Sequence, residues 1–275
     1  MAVYQQKARE RIQKSLRKFT RVVDRARENN ANESDTRLIV TAILGEALGW
    51  DTFEHVTGEH RIKGNYADFA IHQGKDILAI IEVKAVGTTL GPKHLYQAVS
   101  YAANEGVEWV WLTNGCDWQI YKVVFGKPVE QDLAFQVSIC DVEMRPKDKT
   151  ELLYLLSFEA QRTHELDAYY TKKAALSGAN AARVLLKEKM LRTLRGEMRA
   201  ATGHLATLEE IATILVEEVI RPEVLGDDTA RLVRKAAALG RTTKKNVAKA
   251  AIGSESFIAD PLAEGSAGGQ PSSSA

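Results

Sequence analysis

The segment Ile77-Leu78-Ala79-Ile80-Ile81 is an unbroken apolar run that leads into Glu82-Val83-Lys84. So continuous a run predicts a central strand, at 77–85, buried on both faces. Ionisable groups at the end of such a strand are costly to bury without a task, because desolvation opposes their charged forms. Glu82 and Lys84 stand two residues apart, so both side chains leave the same face.

The flanking chain supplies partners for that strand. Segments 60–63 and 66–72 read as strands, and His72-Gln73-Gly74-Lys75-Asp76 has hairpin-loop composition. A helix is expected from Gly91-Pro92 to about 104. Strands at 109–113 and 118–124 follow, separated by the turn signal Asn114-Gly115, and 133–142 adds a further strand. Ahead of the sheet, 4–28 reads as a helix whose apolar stripe is Ile12, Leu16, Phe19, Val23 and Ala26. A second helix at 35–48 stops at Gly49. From about 149 onward the pattern is helical, at 150–173, 180–200, 207–220 and 228–251, with breaks near Gly178, Gly203 and Gly226. After Ala251 the composition turns to Gly, Ser, Ala and Pro, which cannot bury enough apolar surface to order itself.

Charge and composition exclude some classes. Hydrophobic residues make up 45% and charged residues 27% of the 275, as expected of a folded soluble chain. No segment reaches the roughly 18 uninterrupted apolar residues of a membrane span, and the basic N-terminus lacks the apolar segment of a secretory signal. Cys116 and Cys140 are too few to staple a fold or build a zinc site, and read as reduced thiols of a cytoplasmic protein. The net charge of +1 is uninformative, but its distribution is not. Nine basic residues between Lys7 and Glu28 face three acidic ones, and a second basic region begins at Arg231. Such clusters can hold a phosphate backbone or serve as solvated helix faces.

Chemistry concentrates on one hairpin. If it is symmetric about Lys75, residues whose numbers sum to 150 face each other, and Asp68 lies opposite Glu82. Opposed Cβ atoms are about 5 Å apart, close enough for two carboxylates to share one divalent ion. Mg²⁺ or Mn²⁺ suits hard oxygen ligands of this kind. Lys84 would orient a water and offset developing charge, and the backbone carbonyl of Val83 is a candidate further ligand. The bland alternative is a buried lysine–carboxylate cluster that merely survives.

From about 33 to 125 the chain resembles the N-terminal nuclease domain of type I restriction enzyme R subunits, within the PD-(D/E)xK superfamily. The resemblance rests on Asn32-Glu33-Ser34-Asp35-Thr36-Arg37, Leu48-Gly49-Trp50-Asp51, Tyr66-Ala67-Asp68-Phe69, Glu82-Val83-Lys84-Ala85, Gln97-Ala98-Val99-Ser100-Tyr101, and Leu112-Thr113-Asn114-Gly115 with Trp118. It implies metal ligation at Asp68 and Glu82, catalysis at Lys84, and DNA contacts from Gln97 and Tyr101. An acidic residue on the early helix often assists the metal in this family, a role for which Glu33 and Glu46 compete, with Glu33 favoured. The superfamily's proline is absent, Ala67 standing before Asp68. The chain also lacks the Gly-x-x-x-x-Gly-Lys-Ser/Thr phosphate loop of the ATP-driven motor.

The expectation is therefore an α/β protein with a restriction-endonuclease-like mixed sheet flanked by helices and an all-helical C-terminal section. Its parts are a basic N-terminal helix at 1–30, a nuclease-like domain at 31–147, a helical region at 148–252 and a disordered tail at 253–275. The expected activity is Mg²⁺-dependent endonucleolytic hydrolysis of DNA, with DNA and other restriction or defence subunits as partners. Two rivals stand beside it. One is a DNA-binding or assembly subunit that keeps the fold but does not cut. The other is a protein–protein module that docks through the stripe of the first helix.

Overall fold

The computed structural model of the chain describes residues 2–62 and 65–225. The basic region from Arg231, the helix expected at 228–251 and the tail at 253–275 lie outside the described residues. The chain divides into two compact units, Met1–Lys173 and a second that begins at Ala174.

The first unit is built on a six-stranded sheet in the order β1-β2-β3-β4-β5-β6. Its strands are β1 (Val56–Ile62), β2 (Asn65–Gln73), β3 (Asp76–Val83), β4 (Trp109–Thr113), β5 (Asp117–Val124) and β6 (Glu130–Ser138). All neighbours are antiparallel except β3 and β4, which are parallel and joined by the crossover helix α3 (Pro92–Glu105). The fold class is thus the expected mixed α/β sheet with flanking helices.

Alternation along β3 shows why its run is unbroken. Ile81 and Val83 join a core with Ile12, Phe19 and Val23 of helix α1 (Val3–Glu28) and Val40 of α2 (Glu33–Ala42). Ile80 joins a second core with Leu95, Ala98 and Ala102 of α3. A strand clothed on both faces has no position for an exposed polar residue. The stripe read on α1 is therefore spent on its own sheet, with Leu16 at the margin, and is not a docking surface. Full burial of side chains such as Ile12 and Phe19 is worth about 1.5–3 kcal/mol each.

Three helices follow β6 within the first unit: α4 (Pro146–Tyr154), α5 (Phe158–Arg162) and the start of α6 (Glu165–Ala175). The single helix expected at 150–173 is therefore broken twice. The breaks are made by tertiary bonds: Trp50 Nε1 donates to the Leu156 carbonyl at 3.0 Å, and Phe158 N donates to the Leu48 carbonyl at 3.0 Å. His164 adopts a positive φ of 55° at the second break. These helices stand in the same compact unit as the sheet. In the second unit, α7 (Gly178–Leu185), α8 (Glu188–Thr202) and α9 (Leu208–Ile214) enclose a small core of Leu191, Leu208, Ile211 and Val216. The helix expected at 180–200 is in fact two, α7 and α8.

Among the described residues no helix is long and apolar enough to cross a membrane. Cys116 and Cys140 are both free thiols.

Candidate active site

The hairpin of β2 and β3 brings Asp68 to Glu82. Phe69 pairs with Ile81, Ala70 with Ile80 and Ile71 with Ala79, the register that places Asp68 across from Glu82. The turn itself is not symmetric about Lys75. Gln73 pairs with Asp76 across the two residues Gly74 and Lys75, and a bulge between Ile71 and His72 restores the register towards the site. Gly74 takes the positive φ of 63° that such a tight turn requires. Strand β3 ends at Val83, two residues short of the expected 85, and its ladder with β2 ends at Phe69 and Ile81, although β2 runs back to Asn65. In place of a ladder bond, Val83 N–H donates to Asp68 Oδ2 at 2.7 Å. In extended backbone the carbonyl leaves on the same side as the N–H, so that of Val83 faces the Asp68 side.

Lys84 is held at its backbone, its N–H donating to the Thr113 carbonyl at 2.8 Å. Its Nζ lies 2.8 Å from Glu82 Oε1 and 3.3 Å from Glu33 Oε2. Helix α2 supplies Glu33. Asn32 caps that helix by accepting from Asp35 N, and Thr36, fully buried, donates to the Asn32 carbonyl and accepts from Val86 N at 3.1 Å. This clamp fixes the first turn of α2 against the chain that leaves β3. One turn beyond Glu33, Arg37 Nη1 donates to Asp68 Oδ1 at 3.2 Å. Glu46, the other candidate acid, pairs instead with Lys18 of α1. The sequence reading missed Arg37, although its i, i+4 spacing from Glu33 was the available signal.

Asp68, Glu82 and Lys84 thus meet at the carboxyl ends of the two parallel strands, where open α/β sheets commonly bind ligands. Burial pushes the Glu82 carboxyl up to about 7, and the hydrogen bond from Lys84 offsets only part of that rise. Burial likewise raises Asp68, against the lowering effects of the Val83 N–H and of Lys84 and Arg37. Burial alone would lower the Lys84 ammonium, but its bond to Glu82 and the charge of Glu82 and Glu33 outweigh this and raise it. Glu82 Oε2 is buried and has no hydrogen-bond partner among the described residues.

Those observations fit a hard divalent cation. A desolvated carboxylate pair with one orphaned oxygen gains most from a nearby positive charge. Among the described residues no group of three or more His, Cys, Asp or Glu could by itself hold a metal ion.

Of the expected DNA-facing pair on α3, Gln97 is exposed and Tyr101 is buried at 5% exposure in the α3-side core. Gln97 Nε2 donates to the Tyr101 hydroxyl at 2.8 Å. His60, on β1, pairs through its backbone with Ala67 of β2. Trp109, Trp111 and Trp118 are core residues. Asn114 makes the turn after β4: its Oδ1 accepts from Cys116 N and Asp117 N, and its Nδ2 donates to the Thr88 carbonyl.

A mixed sheet thus carries an acidic pair and a lysine at the ends of two parallel strands. Residues 52–133 match the model of the type I restriction enzyme R protein N terminus. The match covers under a third of the chain and contains Asp68, Glu82, Lys84, Gln97 and Tyr101, while Glu33 and Arg37 lie before it. No curated protein and no solved structure matches the chain.

Proposed function

We propose that this chain carries a divalent-metal-dependent endonuclease site that hydrolyses DNA phosphodiesters. The observation that carries this reading is the convergence of Asp68, Glu82 and Lys84 at one strand end, inside the segment that matches the restriction family. Asp68 and Glu82 would hold Mg²⁺ or Mn²⁺ with the Val83 carbonyl beside them, and Glu33 is the auxiliary acid. When bound, the ion supplies positive charge at the scissile phosphate and acidifies a water.

The remaining work belongs to the side chains. Lys84, anchored through its backbone to β4, points its ammonium into the acidic cluster. There it can orient the attacking water and compensate charge that grows on the phosphate oxygens. Arg37 steadies Asp68 by one oxygen and leaves the other to the Val83 N–H. Gln97, exposed on α3, is the residue through which the Gln97–Tyr101 pair would meet DNA. The exposed cations of α1 would add affinity that does not depend on sequence.

The test is cleavage of plasmid and linear DNA with Mg²⁺, Mn²⁺ or EDTA by wild type, Lys84→Ala and Asp68→Ala. We expect metal-dependent cutting that falls by at least about 10²-fold in both variants, the scale of losing one preorganised charge. DNA bound but never cut by wild type would sink autonomous catalysis and leave a binding or assembly subunit.

A further inference from the structure

A cleft of about 550 Å³ runs along α1 to the chain after β6 and the start of α4, with Glu10, Lys14, Arg17, Ile139 and Lys149 among its lining residues. None of the acidic-cluster residues lines it. Lys149 is 9% exposed, and its Nζ donates to the Ile139 carbonyl at 3.1 Å and to the Asp141 carbonyl. An ammonium has three donors. The third N–H of Lys149 has no acceptor among the described residues, and no carboxylate pairs with it. Buried charges are ordinarily paired, so this one calls for an anion from outside.

The rim repeats the pattern. Arg9, Arg11 and Lys18 of α1 are each ion-paired, to Glu151, Glu159 and Glu46. Lys14 and Arg17, three residues apart on one helix face, are exposed and have no such partner among the described residues. The one lining carboxylate, Glu10, accepts from Gln6 Nε2. Three cations therefore face one carboxylate.

The sheet relates this cleft to the acidic cluster. Val83 ends β3 beside Thr113, Thr113 pairs with Trp118, and Asp117 pairs with Ser138. Ile139 and Asp141 thus emerge at the same end of the sheet as Glu82, three strands over. At about 4.8 Å per strand that offset is roughly 15 Å, a separation that one nucleic-acid strand spans in a few phosphates.

We propose that this cleft binds a backbone phosphate of the DNA that is cut at Asp68 and Glu82, with Lys149 at its floor and Lys14 and Arg17 at its rim. The proposal rests on the nuclease reading above and adds a place where the substrate is gripped away from the scissile bond.

Because Lys149 also ties down two carbonyls, the test falls on Lys14→Gln/Arg17→Gln, with Arg21→Gln/Arg25→Gln as a control that removes the same charge elsewhere on α1. DNA affinity is measured against salt with Ca²⁺ in place of Mg²⁺. We expect the cleft variant to bind about tenfold more weakly, with a log–log salt slope smaller by about 1–2, and the control, which removes only diffuse helix charge, to weaken binding by no more than about threefold. Equal weakening in both variants would reduce the cleft to diffuse helix charge and overturn the proposal. Unchanged binding in the cleft variant would overturn it while leaving the nuclease reading intact. Wild type that binds no DNA would fail the nuclease reading and the DNA assignment together. A Tm rise in pyrophosphate that the cleft variant loses would then assign the cleft to free phosphate compounds.

Discussion

Glu82 is the residue whose surroundings differ most from those of a free side chain. Its carboxyl stands at about 7 in the folded protein against an ordinary value of 4.5. A raised carboxyl means that the folded state binds the proton more tightly than the unfolded chain does. The stabilisation is full below the unfolded value and is lost as pH rises through 7. Without metal, Tm should therefore fall between pH 5 and 8. In Glu82→Gln that slope should flatten, with a gain at pH 8 of at most about 3 kcal/mol. Thermal melts in EDTA across that range check this, and a parallel slope in wild type and variant would refute it. Divalent-ion affinity should rise over the same interval in wild type, since the ion must displace the proton. Thr36 offers a second test at this scale. Thr36→Val keeps the shape but strands the Val86 N–H, which costs about 1–3 kcal/mol. Urea denaturation reads that loss, and hydrogen exchange should show the Val86 amide opening first.

At the scale of elements, the turn that ends the α2 region is the tightest joint. Gly49 sits at φ +77°, and a Cβ there would lie 2.4 Å from Arg11 Nη2, whose guanidinium grips Glu159 through both nitrogens at 2.7 and 2.8 Å. Gly49→Ala should cost about 1–2 kcal/mol from the left-handed backbone alone, and more because Arg11 must leave Glu159. A denaturant midpoint unchanged from wild type would contradict that geometry. Elements were legible in the sequence wherever periodicity was strong, as in α1, β4 and the apolar run of β3. The opposition of Asp68 and Glu82 was legible too, although the symmetric loop assumed for it does not exist. A shorter turn and a bulge compensate each other, and no residue pattern announces a bulge. The first break of 150–173 was illegible because Trp50 and Leu48, about a hundred residues away, bond to the chain on either side of it, and neither break carries a Gly or Pro. That Glu33 would pair with Lys84 and Glu46 with Lys18 was likewise not written in the residue pattern.

At the scale of the molecule, the basic N-terminal segment is not an appendage. Ala8, Ile12, Phe19 and Val23 are buried in the core shared with the sheet and the neighbouring helices, and Arg11 and Arg9 bind α5 and α4. Deleting residues 2–28 would uncover that face of the sheet and remove several contributions of about 1.5–3 kcal/mol, comparable with the whole stability of a domain. Such a chain should show no cooperative melt by circular dichroism; one that melts like wild type would refute this packing.

The single parallel pair has a consequence in time rather than in space. A hairpin such as β2–β3 closes locally and early, whereas β3 meets β4 only after the chain has travelled through α3, and non-local pairing of this kind is slow. Asp68 and Glu82 can therefore be neighbours in a half-formed protein. The backbone of Lys84, which rests on Thr113, finds its seat only when β4 has met β3. A newly made chain would thus hold its acidic pair before its lysine, and the proposed site would become competent only with the finished sheet.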